Sequence, residues 1–193
     1  MAQYPRELER QHTLADGRVV VIRPIRAEDD AAVKAFFDRL CPEARRMRFM
    51  KWVRSVSGGL VHTFTHVDYE ERMAFVCEAE AGGEKQGGAK QIVGEARYAA
   101  VPRSSSCDFG VVIADDWHKS GIAGLLMLAL MDHARAQGFE SMESMVLREN
   151  QDMVRFARAL GFEVRPVPQE PTVVQVVKPL APYAAGAGSR KRA

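Results

Sequence analysis

The sequence predicts a single α+β domain, of mixed α/β type, in which helices flank a sheet. Strand and helix patterns alternate over most of the chain, but three strands follow one another in the middle with no helix between them. Consecutive strands of this kind pair antiparallel, whereas a doubly wound nucleotide fold places a helix between its strands. The length of 193 residues fits one domain, and no internal repeat is visible.

The first half of the chain predicts one strand and two or three helices. Residues 17–25 are rich in β-branched side chains, which favour a strand. Acidic residues followed by apolar residues at helical spacing predict a helix over residues 26–40, with the acids at its amino end. Pro42 precedes a second short helical stretch over 43–50, and a third is predicted over 60–66.

The second half predicts three consecutive strands, followed by helices that alternate with strands. The first two of these strands are joined by a polar, glycine-rich hairpin loop over residues 81–91. The clearest helix pattern covers 120–137, where apolar residues recur at i, i+3, i+4, i+7 and i+8 and Gly138 suits the end. Predicted strands cover 72–80, 91–101, 104–114, 141–147, 162–167 and 172–180, and a further helix covers 150–160.

The composition excludes several classes of protein. Lys and Arg number 27 against 25 Asp and Glu, so the net charge of +2 does not indicate a polybasic nucleic-acid binder. Three cysteines without a CxxC spacing suit reduced thiols. The first residues lack the apolar stretch of a signal peptide, and the longest apolar run, 121–131, is too short to cross a bilayer. We therefore expect a cytoplasmic protein with no membrane and no nucleic-acid partner.

One turn in the sequence has the pattern of a phosphate-binding site. A predicted strand runs into a short turn, and a helix opens within the sequence HKSGIAG. Unpaired backbone N–H groups and the helix dipole favour an anion at such a helix start. Gly121, Ala123 and Gly124 leave space for a pyrophosphate, and Lys119 adds a positive charge. An ordinary helix cap explains the same residues equally well, so both interpretations stay open at this point.

Two histidines have the spacing of a metal-binding pair. His62 and His66 stand at i and i+4, the separation that places two imidazoles on one helix face. However, Thr63 stands where an HExxH motif needs glutamate, and no third ligand lies nearby in the sequence. The sequence therefore predicts no metal site.

The phosphate-binding turn resembles the acyl-CoA pyrophosphate loop of the GNAT acyltransferase superfamily. The sequence DWHKSGIA between a strand and an amphipathic helix matches the family pattern Q/R-x-x-G-x-G/A, with His118 in place of Gln or Arg. LREN at 147–150 and ALGF at 159–162 resemble two further family segments. Six more segments resemble the GNAT domain of bacterial protein-lysine acetyltransferases: 16–17, 22–29, 48–49, 68–69, 73–74 and 94–97.

The resemblance implies a GNAT-like fold: a central, mostly antiparallel twisted sheet, splayed at the acyl-CoA site and flanked by helices. It implies one domain over residues 14–180, with an N-terminal extension over 1–13 and a flexible basic tail over 181–193. Acetyl-CoA is the implied co-substrate. The residues implied to bind it are Val112, Ile113, His118, Lys119, Ser120, Gly121, Ile122, Ala123, Gly124 and Asn150.

The resemblance also implies a catalytic base. Asp108 stands where these relatives carry a catalytic glutamate early in the strand, and Glu95 and Glu78 on neighbouring strands are the alternatives. An efficient carboxylate base needs a pKa raised toward neutrality by partial burial. A backbone N–H of Val112 or Ile113 is implied to polarise the thioester carbonyl.

The implied activity is an N-acetyltransferase that transfers acetyl from acetyl-CoA to a primary amine, a protein lysine, by direct transfer in a ternary complex. A small-molecule amine is the alternative acceptor. Many superfamily members carry a tyrosine as general acid where Ala157 stands here. This difference, together with aspartate for glutamate at Asp108, leaves a non-catalytic acyl-CoA-binding regulatory module as the rival interpretation. The sequence does not indicate an oligomeric state.

Overall fold

The computed structural model describes residues 3–80 and 89–180. The predicted tail over 181–193 and residues 81–88 of the predicted hairpin loop lie outside this range. The strands are β1 (Arg10–Thr13), β2 (Val19–Pro24), β3 (Arg72–Glu80), β4 (Lys90–Ala100), β5 (Ser106–Ile113), β6 (Ser141–Leu147), β7 (Glu163–Pro166) and β8 (Val173–Pro179). The helices are α1 (Asp30–Arg39), α2 (Pro42–Phe49), α3 (Gly58–Thr65), α4 (Ile122–Ala136) and α5 (Gln151–Ala159).

The strands form one sheet in the order β1-β2-β3-β4-β5-β6-β8-β7. Neighbouring strands run antiparallel except β5 and β6, which run parallel. A parallel pair needs a crossover connection, and α4 supplies it here. The predicted α+β class with a mostly antiparallel sheet is confirmed.

Two hydrophobic cores lie on opposite faces of the sheet. On one face α4 and α5 pack against β2 to β6 and β8, and Leu126, Leu130 and Val154 belong to this first core. On the other face α1 and α3 cover β3 to β5, and Phe36 and Val61 belong to the second core. Each strand residue belongs to one face because successive side chains of a strand point to opposite sides.

The amino-terminal residues add a strand that the sequence analysis did not predict. Residues 10–13, interpreted as part of an extension, pair with β2 from Arg10 opposite Ile22 to Thr13 opposite Val19. Their sequence, RQHT, carries no alternation of apolar and polar residues, so a pattern search has nothing to detect. No helix in the described ranges is long and apolar enough to cross a membrane.

Helix starts follow from capping residues close to the predicted boundaries. The Ser57 Oγ accepts a hydrogen bond from the Leu60 N–H at 3.2 Å, so α3 begins two residues before the predicted start. Pro42 occupies the first turn of α2, where its missing N–H has no cost. Gly138 adopts a φ of +83° just beyond α4 and ends that helix as predicted.

Candidate active site

Strands β5 and β6 separate after a short stretch of pairing. Ser106 to Asp108 pair with the first residues of β6, but β5 continues to Ile113 and β6 to Leu147 without further pairing between them. Beyond this point β5 pairs with β4 alone, and β6 pairs with β8 alone. One backbone edge of β5 therefore faces a gap. An unpaired edge of this kind offers N–H and C=O groups to an extended ligand.

Two hydrogen bonds show which groups of β5 face the gap. The N–H of Ala114 donates to the carbonyl of Val93, on the β4 side, at 2.8 Å. The carbonyl of Ser105 accepts from the N–H of Glu140, on the β6 side, at 2.8 Å. Because backbone groups of successive strand residues point to opposite sides, even-numbered residues of β5 face β4 and odd-numbered residues face β6.

Val111 and Ile113 consequently direct their N–H and C=O groups into the gap. Val112 stands opposite Glu95 and uses its backbone groups in pairing with β4. The prediction that the Val112 N–H faces the thioester is therefore corrected by the strand register, and Ile113, the other predicted donor, faces the gap. Nε2 of His118 lies 3.2 Å from the carbonyl oxygen of Ile113, so this predicted residue lies at the end of the gap.

The turn between β5 and α4 has an unusual backbone conformation. Gly121 has a φ of +90° and Lys119 a φ of +62°. A Cβ built on Gly121 meets no atom within 4 Å, so only the backbone conformation demands glycine there. The left-handed region costs a residue such as Lys119 about 1–3 kcal/mol, and strain of this kind is concentrated at ligand sites.

Several backbone N–H groups at this turn have no acceptor. The N–H of Gly124 donates to the Gly121 carbonyl at 3.1 Å, in the first turn of the helix. By contrast, the N–H groups of Lys119, Gly121 and Ala123 make no hydrogen bond to any residue that the structure describes. Unpaired donors at a helix start, together with the helix dipole, favour a nearby anion.

Three further predicted ligands, Ser120, Ile122 and Asn150, make structural contacts within the protein. The Ser120 hydroxyl donates to the Trp117 carbonyl at 2.6 Å, and Ile122 is fully buried in the first core. Asn150 caps α5, because its Oδ1 accepts from the Met153 N–H at 3.1 Å. Asn150 follows β6, the strand that lies across the gap from β5. The contact that its side chain makes in the structure is this helix cap.

Asp108 lies at the last paired position of β5, where the gap opens. It retains solvent contact, yet partial burial of its carboxylate raises the pKa above the usual value. The charge of Arg48 opposes this rise, the charge of Glu143 adds to it, and a hydrogen bond from Ser144 lowers the pKa again. A carboxyl with a raised pKa beside a cleft has the properties of a general base.

Three side chains on the face of the sheet that carries Asp108 form a buried charge cluster that the sequence analysis did not predict: Arg48, Glu95 and Arg97. Glu95 is 1% exposed, pairs with the Arg97 Nε, and has Oε2 4.0 Å from the Arg48 Nη2. A Cβ on Gly110 of β5 would stand 2.7 Å from the Arg48 Cζ, so the guanidinium packs directly on that glycine. Side chains at even-numbered positions of β5 face this side of the sheet, so Asp108 shares the face with the cluster, and Arg48 is the member whose charge acts on Asp108.

The structure separates the two alternative bases. Glu95 stands opposite Val112, on the face of the sheet that carries Asp108. Glu78 lies on β3, two strands away from β5, and binds the buried Arg23 at 2.6 Å. Only Glu95 therefore shares the site with Asp108.

Comparison with known proteins decides the family. A model of the acetyltransferase (GNAT) domain matches residues 20–163. The chain belongs to the GNAT acetyltransferase family. This acetyltransferase is 37% identical over 169 residues to the acetyltransferase PA5475 of Pseudomonas aeruginosa, and the alignment covers 88% of this chain and 87% of that protein.

Solved structures show the same fold for this acetyltransferase. The GNAT domain of S. lividans PAT matches with a TM-score of 0.80 at 23% identity, covering 92% of this chain and 100% of that chain. The spermidine N-acetyltransferase of Vibrio cholerae, in complex with CoA and spermine, matches with a TM-score of 0.65 at 14% identity, covering 83% and 95%. The predicted GNAT-like fold is confirmed, and GNAT enzymes use acetyl-CoA as acyl donor.

Proposed function

We propose that this GNAT acetyltransferase transfers acetyl from acetyl-CoA directly to a protein lysine, with both substrates bound at once. The observation that carries the proposal is the gap between β5 and β6. It has backbone groups of β5 that do not pair with β6 along one wall, unpaired N–H groups of a helix start at its far end and Asp108 at its opening. A thioester held in line with an amine needs these three elements.

The groups of the chain fit acetyl-CoA. The N–H groups of Lys119, Gly121 and Ala123 bind the pyrophosphate, and the Lys119 ammonium adds charge. The backbone groups of Val111 and Ile113 bind the extended pantetheine arm, and one of these N–H groups polarises the thioester oxygen. Bound acetyl-CoA supplies the activated acyl group.

Asp108 acts as the base through a bridging water, because aspartate is one methylene shorter than glutamate. It removes a proton from the acceptor ammonium, and the free amine nitrogen attacks the acetyl carbon. The carbon–nitrogen bond forms, the carbon–sulfur bond breaks, and CoA leaves as the thiolate, which takes up the second proton that the nitrogen loses. Asp108 returns its own proton to solvent through the bridging water. Partial burial raises the pKa of Asp108 and improves it as a base, while the Arg48 charge keeps it ionised.

A protein lysine fits the acceptor side. Asp108 is exposed at the start of its strand, so a lysine on the surface of a folded protein can approach it. The sequence resemblance to bacterial protein-lysine acetyltransferases points to the same acceptor. The rival acceptor is a small amine, and the rival function is acyl-CoA binding without transfer.

Substitution of Asp108 by asparagine tests the base. The variant removes the charge and keeps the shape, so kcat is expected to fall about 100-fold or more, while the acetyl-CoA Kd measured by calorimetry stays within about twofold of wild type. Asp108→Glu is expected to retain part of the activity. Asp152→Asn, at a residue with a side chain that is 93% exposed, is the matched control. A wild-type kcat for Asp108→Asn would transfer the role to Glu95.

The acceptor is identified by a separate experiment. The protein is incubated with acetyl-CoA and a cell lysate, and new acetyl-lysines are mapped by mass spectrometry, with a panel of polyamines and amino acids assayed in parallel. Asp108-dependent acetyl-lysines support the proposal. Turnover on small amines alone assigns the alternative acceptor, and tight acetyl-CoA binding without any turnover assigns a regulatory binding module.

A further inference from the structure

Three side chains with metal-ligating atoms lie together: one on α1, one on α3 and one at the residue that ends α3. The ligand atoms of Asp30, His62 and His66 all lie within 4.8 Å of one another. The sequence predicted no metal site because no third ligand is close in sequence, but α1 and α3 pack side by side over the second core and supply one. We infer that Asp30, His62 and His66 form a zinc site that links α1 to α3.

The spacing of the ligand atoms fits one tetrahedral ion. His62 Nδ1 and Asp30 Oδ2 are 3.6 Å apart. Two ligands of a tetrahedral zinc ion, each at about 2.0–2.1 Å, are separated by roughly 3.4 Å. Binding therefore needs only small side-chain rotations, and solvent completes the coordination. The imidazole nitrogens favour zinc over magnesium or calcium, which prefer oxygen ligands.

A buried hydroxyl holds two of the three ligands in place. The Thr65 Oγ1 donates to Asp30 Oδ1 and lies 2.9 Å from the His66 Nδ1. The His66 Nδ1 also lies 3.1 Å from the His62 carbonyl oxygen. A carbonyl can only accept, so this contact assigns the hydrogen of His66 to Nδ1 and its lone pair to Nε2. Asp30 keeps Oδ2 free on the His62 side. Orientation of ligands by hydrogen bonds of this kind is typical of metal sites.

Solvent access lets an ion enter and lets the ligands be changed without loss of the fold. The side chains of His62 and Asp30 are 62% and 46% exposed, so neither supports the core. Thr65 is buried, and valine matches its shape. Zinc bound here would join the two helices that cover one face of the sheet, so its binding stabilises the native state.

The inference is tested by zinc titration of the tag-free protein. Competition with a chromophoric chelator is expected to show one Zn²⁺ per chain. A free zinc concentration 100 times the zinc Kd is expected to raise Tm by about 5–10 °C. His62→Gln, His66→Gln and Asp30→Asn are each expected to lower zinc affinity at least tenfold and to reduce the Tm shift at the same zinc concentration by about half or more. Thr65→Val, which keeps every ligand, is expected to lower affinity about 10- to 100-fold.

Two control variants remove other side chains that can ligate zinc, the partly buried His12 and the exposed Cys41. His12→Gln on β1 and Cys41→Ser before α2 are expected to bind zinc as wild type does, since neither belongs to the cluster. Circular dichroism of the metal-free variants checks that each one is folded. Zinc binding that survives unchanged in His66→Gln, or that disappears in His12→Gln or Cys41→Ser, overturns the inference. Failure of the wild-type protein to bind zinc at millimolar concentration overturns it as well.

Discussion

Replacement of Gly121 by alanine separates backbone strain from ligand binding at the phosphate-binding turn. Gly121 has a φ of +90° in the turn, whereas Gly17 has a φ of +84° in the turn between β1 and β2. A Cβ built at either position meets no atom within 4 Å. Both alanine variants therefore carry the same backbone strain and no steric clash, but only Gly121→Ala lies at the proposed pyrophosphate site.

The expected loss of stability follows from two opposing terms. A left-handed conformation costs a non-glycine residue about 1–2 kcal/mol, and the smaller entropy of the unfolded chain offsets about 0.4–1 kcal/mol of this. Each variant is therefore expected to lose about 1 kcal/mol, which lowers Tm by about 2–4 °C in a domain of this size. Gly17→Ala and Gly121→Ala should agree within error in urea unfolding.

The expected loss of affinity occurs in Gly121→Ala alone. Relaxation of the strained turn moves N–H donors at residues 119–123 away from the pyrophosphate. One hydrogen bond to a charged group is worth about 1.5–3 kcal/mol, which is roughly 10- to 150-fold in the CoA Kd. Calorimetry with CoA measures this difference. Equal CoA affinity in the two variants would refute the assignment of the turn as the pyrophosphate site.

Three further predictions concern charge. Arg48→Gln removes a positive charge that lowers the pKa of Asp108, so the pKa rises and the acidic limb of the kcat–pH profile moves to higher pH. The buried Arg23 donates two hydrogen bonds, of 2.7 and 2.8 Å, to the Asp29 carboxylate. Asp29→Asn removes the negative charge from this pair, so the free energy of unfolding measured in urea should fall by about 3 kcal/mol. Burial lowers the pKa of His133 to about 4. Because the unfolded state takes up this proton near pH 6.5, stability should fall by up to about 3 kcal/mol between pH 6.5 and 4, and His133→Gln should flatten that fall.

Local patterns in the sequence predicted most of the fold. Helix α4 was expected over 120–137 and covers Ile122–Ala136, because its apolar spacing and the glycines at both ends are properties of neighbouring residues. The strands of the second half were placed within a few residues for the same reason. Strand β1 could not be predicted, since RQHT owes its conformation to pairing with β2 rather than to its own side chains.

The candidate site divides in the same way. The turn at 118–124 is contiguous, so its sequence alone was enough to suggest anion binding, beside the interpretation as an ordinary helix cap. The register of β5 with β4 decides which of Val111, Val112 and Ile113 directs its backbone groups into the gap, and no sequence motif encodes this register. The buried charge cluster joins α2 to β4, and its members are far apart in the sequence. Such contacts are decided by the packing of whole elements, which the sequence patterns of single elements do not specify.

The buried charge cluster explains how Asp108 can be both partly buried and ionised. Arg48 is the member of this cluster whose charge lowers the pKa of Asp108, while the charge of Glu143 raises it. Protonation of Asp108 would remove the attraction between its carboxylate and Arg48, and this opposes the rise in its pKa that burial causes. The same guanidinium disfavours a second cation beside Asp108. An ammonium that reaches Asp108 is therefore expected to lose its proton more easily than in water, and the free amine is the form that attacks the thioester.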